Sequence, residues 1–133
     1  MLQEKRVVIC FLESENEILI LRRSEWVGSY QGRWAGVSGY IDNTADEQAL
    51  IEIEEETSLC QEDLELMKRG KPLSVRDEKL SVKWVVYPYL FHIKDREKIK
   101  TDWEHEDTKW IEPKDIDKYK TVPMLKETLE RVL

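Results

Sequence analysis

The sequence predicts an α+β fold, a mixed β-sheet flanked by helices. Three observations predict it. Short apolar runs rich in β-branched residues recur at 6–12 (RVVICFL), 17–22 (EILILR) and 79–93. An acidic segment between 44 and 57 has helical periodicity. The two kinds of segment are mixed without regular alternation. The chain of 133 residues is one domain's worth, 1–133, and its 41% hydrophobic content is too high for a disordered chain.

The elements follow in order. The runs 6–12 and 17–22 are joined by the polar ESEN and read as a hairpin. Residues 24–33 form a loop holding two glycines and two aromatics. Residues 34–41 read as a short strand interrupted by Gly36 and Gly39. Thr44 or Asp46 can cap a helix running to about Thr57. Residues 64–68 read as a strand. The longest β-prone run is 79–93, and Pro88 within it points to an edge or a bulge. Further strands are expected at 98–103 and 108–111, and a short helix at 113–119 opening on Pro113. The terminal helix, 123–133, places Leu125, Leu129 and Val132 on one side.

Charge excludes several functions. The net charge is −7, the wrong sign for a general binder of nucleic acid or an anionic membrane. No window reaches the eighteen or so apolar residues of a membrane span, and the first residues do not read as a signal peptide. Cys10 and Cys60 have no paired spacing, so a reducing cytoplasm is expected. His92 and His105 are too few and too far apart to argue for zinc.

The negative charge is concentrated. Between Trp34 and Met67 there are ten acidic residues and no basic one. On a helical wheel Ala45, Ala49, Leu50 and Ile53 form the apolar stripe. Glu52, Glu55 and Glu56, spaced i, i+3, i+4, meet on one flank. Two readings of these acids stand: a solvated face, or a site for a hard divalent cation such as Mg²⁺, which arrives with substrate phosphates.

The pattern running from Gly39 through Ala49-Leu50-Ile51-Glu52-Ile53-Glu54-Glu55-Glu56-Thr57-Ser58-Leu59 resembles the Nudix box. Arg22-Arg23, Gly32-Arg33-Trp34, Trp103-Glu104-His105 and Trp110-Ile111-Glu112-Pro113 are similar to small MutT-like Nudix proteins. The resemblance covers nearly the whole chain. It implies a mixed β-sheet sandwiched between helices and a pyrophosphohydrolase acting on a nucleoside diphosphate linked to another group. It implies a Mg²⁺ cofactor, with Mn²⁺ as a substitute, held by Glu52, Glu55 and Glu56. Some family members draw the catalytic base from the box, here Glu55. Others draw it from a distant loop, where Glu104 is the candidate and Glu106 the runner-up. Three departures stand out. Ile51 occupies the place of the Arg that orients the carboxylates, and Ser58 that of the Gly ending the helix. The first Glu of the pattern has no match, Asn43 standing at its count and Asp42 being the nearest acid.

Arg23, Arg33 and Gly39 are the expected phosphate-side contacts, because Arg is shaped for bidentate phosphate binding and Gly allows close approach. Only one of Arg22 and Arg23 can face the site from a strand. Trp26 and Tyr30 are expected to stack on a base or sugar. Trp34 and Tyr40 are expected in the core, and Trp84 in the core or on a dimer surface. The altered box leaves a second reading, a non-catalytic Nudix-fold module that binds or senses a nucleotide. The expected partner is a small nucleotide, with a homodimer in keeping with the family.

Overall fold

A computed structural model describes residues 1–133. Two parallel strands form its centre, β1 (Gln3–Ser14) and β7 (Val82–Ile93), with Val7 opposite Val86 and Phe11 opposite Leu90. The middle of β1 is a continuous apolar run because both of its faces are covered. Val8, Cys10 and Leu12 pack with Ala49 and Ile53 of α1 (Ala45–Thr57). Val7, Ile9 and Phe11 pack with Leu125 and Leu129 of α2 (Leu125–Glu130). This is the expected sheet between helices.

The remaining strands extend the sheet on both sides. β2 (Glu17–Arg23) returns from β1 through Glu15 and Asn16, both at positive φ, the geometry of a tight hairpin. β2 pairs with β3 (Trp34–Ala35) and with β8 (His105–Ile111). β4 (Val37–Tyr40) lies antiparallel to β1. β5 (Leu64–Arg69) and β6 (Leu73–Asp77) share the other edge of β7.

The structure corrects several expectations. Residues 98–103 are not a strand. A short 3-10 turn, Arg96–Lys98, is capped by the Asp95 side chain, and the Lys100 N–H then donates to Thr57 O, tying the loop to the end of α1. β6 escaped the sequence reading, although Leu73 and Val75 alternate with polar residues and are buried. Pro88 lies in a central strand. Its carbonyl accepts from the Gly70 N–H, so the missing proline donor faces the break between β5 and β6, where no ladder bond is needed. The segment after Pro113 is a 3-10 turn, Pro113–Lys118, and the terminal helix is shorter than expected, though Leu125, Leu129 and Val132 are all buried.

α1 decides the site. The Thr44 hydroxyl accepts from the Glu47 N–H and caps the helix. Asp46 instead accepts from Arg69 and from the Tyr89 hydroxyl. The helix ends at Ser58 with φ 68, the left-handed conformation in which the Nudix box carries Gly. The buried side differs from the apolar stripe of the wheel. Leu50 is half-buried, while Gln48, Glu52, Glu56 and Thr57 are buried with Ala49 and Ile53. Two of the three predicted carboxylates therefore point inward.

Candidate active site

α1 and β4 meet at Gly39. A Cβ on Gly39 would fall inside the Glu52 carboxyl group. The bare glycine thus makes the room that Glu52 occupies. Gln48, one turn earlier on the helix, donates from Nε2 to Glu52 Oε2 at 2.6 Å, and its own Oε1 accepts from the Asp42 N–H at 3.2 Å. Gln48 therefore fixes Glu52, a task that Ile51, 46% exposed, does not perform. Gly39→Ala should displace the carboxylate. Misplacements of about 1 Å cost roughly 10²-fold in rate, so kcat/KM should fall by about that factor while the melting temperature moves little. A Gly39→Ala protein of wild-type rate would show that Glu52 needs no fixed position.

Glu56 is fully buried, and neither carboxylate oxygen has a hydrogen-bond partner. Burial pushes its carboxyl well above the usual range, and the charges of Glu104 and Glu52 add to the shift. Such a carboxylate is costly unless a cation compensates it. Glu104 arrives from the loop before β8. Its N–H donates to Asp102 Oδ1 at 3.2 Å, and its carbonyl accepts from the Ser24 N–H at 2.8 Å. Burial raises its carboxyl too, with Asp102 and Glu52 contributing. His105, the first residue of β8, brings Nε2 to 3.5 Å from Glu56 Oε1 and Nδ1 to 3.4 Å from Asp102 Oδ1. Burial lowers its pKa, Asp102 opposing, so the ring is neutral near pH 7. One ligand atom from each of Glu56, Glu104 and His105 lies within 4.8 Å of the others. These donors, with two orphaned buried oxygens, fit a divalent cation.

A cavity of about 620 Å³ opens beside the carboxylates, with Glu52, Glu104, Gly39 and Arg23 at this end. The Arg23 Nε donates to Ser29 O at 2.9 Å. Burial lowers its pKa, and Glu104 and Glu56 oppose the shift, so the guanidinium stays charged. Arg22 points elsewhere and pairs with Glu106 at 3.1 Å. A bulge in the β2–β8 ladder separates the two arginines.

The rest of the cavity is aromatic and apolar. Tyr30, Tyr40 and Trp84 line it over a floor that includes Val7, Ile9 and Val86. Tyr40 and Trp84 lie with ring centroids 6.1 Å apart, and the Lys5 ammonium sits 5.5 Å and 5.9 Å from the two centroids. The Tyr30 hydroxyl donates to Asp77 and accepts from the Trp84 indole, and its pKa is pushed up to about 12, burial first. The core expectation for Tyr40 is thus corrected, whereas Trp84 packs against the core as expected and also lines the cavity. Tyr40 is 58% exposed, because β4 turns it outward onto the cavity. Trp34 packs against the core and against Tyr119.

Glu55 is exposed on α1, at the rim of the site, where its charge helps to raise the Glu52 and Glu104 carboxyls. Two other sequence candidates lie apart. Trp26 is exposed and does not line the cavity, and Arg33 donates to Thr121 O. Sequence reasoning missed Gln48, whose signal was its position four residues before Glu52 on a helix. It also missed Lys5 and the Asp102–His105 pair, which long-range pairing alone brings to the site.

A sequence model of the NUDIX domain matches residues 3–132. The chain belongs to that family. No curated protein matches it in sequence. Solved structures agree on the fold. The MutT protein of Methanosarcina mazei Go1 superposes with a TM-score of 0.82 at 20% identity, over 98% of this chain and 94% of that one. A MutT NUDIX hydrolase of Burkholderia pseudomallei gives 0.77 at 20% identity, covering 98% and 99%. A C. elegans Ap4A hydrolase in a binary complex gives 0.76 at 17% identity, covering 96% and 93%. Membership places the chain with the Nudix pyrophosphohydrolases, as the resemblance of the box implied. No helix of this Nudix protein is long and apolar enough to cross a membrane.

Proposed function

We propose that this Nudix protein is a cytoplasmic, Mg²⁺- or Mn²⁺-dependent hydrolase that cleaves the pyrophosphate of a nucleoside diphosphate linked to another group. The observation that carries the reading is Glu56, a fully buried carboxylate with both oxygens unpartnered beside a cavity of nucleotide size. Glu52 and Glu56 would hold the cation from α1, with Glu55 supplying the outer carboxylate. A bound divalent cation offsets charge on the phosphate oxygens and makes water a better nucleophile. Arg23 contacts the diphosphate and orients it toward the carboxylates. Glu104 accepts the proton of the attacking water. Tyr30, Tyr40 and Trp84 supply faces on which a base stacks. Lys5, beside two of these rings, attracts the anionic substrate to a protein of net charge −7.

Product analysis over a panel of nucleoside triphosphates, dinucleoside polyphosphates, nucleotide sugars and ADP-ribose tests the reading. Turnover that depends on Mg²⁺ or Mn²⁺ is expected on at least one member. Tight nucleotide binding without turnover in either metal would instead establish the sensor reading, which the Ile51 and Ser58 departures favour.

A further inference from the structure

We propose that His105 is a direct ligand of the bound cation, so that this protein's metal centre includes an imidazole and favours a first-row transition ion over Mg²⁺. The inference rests on the metal-dependent reading above and adds a ligand that the box does not supply.

Four observations carry it. The His105 side chain is 1% exposed and its Nε2 is directed at Glu56 Oε1. Their 3.5 Å separation is too long for a good hydrogen bond. It suits two ligands of one ion, each bound at about 2.0–2.2 Å. Both Glu56 oxygens lack any other partner. On the far side of the ring, Nδ1 faces Asp102 Oδ1 at 3.4 Å, the carboxylate nearest to it although no hydrogen bond is formed at that length. A histidine that binds metal through one nitrogen almost always presents the other to a carboxylate or carbonyl, which fixes the tautomer and the ring orientation. Asp102, His105 and Glu56 have that order. Glu104 stands within the same cluster and would add a carboxylate oxygen to the donor set.

The donor set then determines the preference. Mg²⁺ demands oxygen ligands and keeps several waters. Imidazole suits the later divalent ions, and affinity for a mixed nitrogen and oxygen site rises along that series. Glu52 is backed by Gln48 and belongs to the all-oxygen side of the site.

The test uses the untagged, metal-free protein loaded with Mn²⁺ alone and read by pulsed electron paramagnetic resonance. A hyperfine coupling from a directly bound nitrogen is expected. The chain has only two histidines, and His92 pairs with Glu13 at 2.8 Å on another part of the sheet. His92→Gln leaves His105 as the sole imidazole with the site unaltered, and the coupling should persist there. In His105→Gln it should vanish. Mn²⁺ affinity measured by calorimetry should then fall by about 10- to 100-fold or more, the loss of an outer partner being already of that size, while Mg²⁺ affinity changes far less. Absence of nitrogen coupling in Mn²⁺-loaded wild-type or His92→Gln protein overturns the inference and leaves the hydrolase reading standing. Failure of the wild type to bind any divalent ion overturns both.

Discussion

Glu56→Gln is expected to make the metal-free protein more stable and the enzyme inactive. Glu56 is buried without a partner, so its charge is opposed by desolvation and by the nearby charges of Glu104 and Glu52. Its folded carboxyl therefore holds a proton more tightly than the unfolded one, whose ordinary value is 4.5. Above that value the native state binds more protons than the unfolded state, and stability falls as pH rises toward the folded pKa. Below it the penalty is absent. Glu52 and Glu104 are shifted in the same direction, burial first, and add to the slope. Metal-free wild type should thus melt at a higher temperature at pH 5 than at pH 8. The neutral amide of Glu56→Gln should flatten that dependence and stabilise the protein at pH 8 by about 1–3 kcal/mol, the range for relieving an uncompensated buried polar group. Divalent-cation affinity should fall by more than about 100-fold, since even outer partners of a ligand contribute 10–100-fold. Melts in chelator at both pH values, with calorimetric titration of Mn²⁺, check both halves. A variant less stable than wild type at pH 8 would mean that Glu56 is compensated without a cation. The stability given up by the native glutamate is then a measure of how far the site is built for one.

Local pattern carried much of this fold into view. The apolar run of β1, the hairpin at Glu15–Asn16, the Thr44 cap and the buried Leu125 and Leu129 all follow from neighbours in sequence. β6 did not, because its two buried residues, Leu73 and Val75, are too few for a period to register. Residues 98–103 read as a strand from composition, yet their backbone is claimed by the end of α1 through Thr57 O. In the site, the spacing of Glu52 and Glu56 was legible because it is helical. Their burial was not: the wheel turned the apolar stripe to the core, whereas the space left by Gly39 draws Glu52 inward. Tyr40 looked like a core aromatic because a strand sequence does not say which face is covered, and the cavity lies over its face.

Glu104→Gln is expected to lower kcat by roughly 10²- to 10⁴-fold, the contribution of a general base, or about 2.7–5.5 kcal/mol in barrier, with KM little changed. The amide keeps the shape of the side chain and removes its capacity to take a proton. The loop around it should stay in place, because the Glu104 N–H and carbonyl bond to Asp102 and Ser24 through the backbone. Measuring kcat at saturating Mg²⁺ or Mn²⁺ separates proton transfer from weakened metal binding: a ligand's loss is recovered by added metal, and a base's loss is not. Glu106 provides the comparison. It lies two residues further, on β8, and forms an exposed pair with Arg22 at 3.1 Å, the side chains 42% and 43% exposed. Such a pair contributes under about 1 kcal/mol, so Glu106→Gln should leave kcat within a few-fold of wild type. The bulge that parts Arg22 from Arg23 sends these neighbours to different surroundings: Arg22 meets Glu106 in solvent, and Arg23 shares the cavity with Glu104. A larger loss in Glu106→Gln than in Glu104→Gln would mean that the loop rearranges on substrate binding and exchanges the two pairs. No loss in either would assign proton transfer to a carboxylate of α1, with Glu55, the exposed one, first in line.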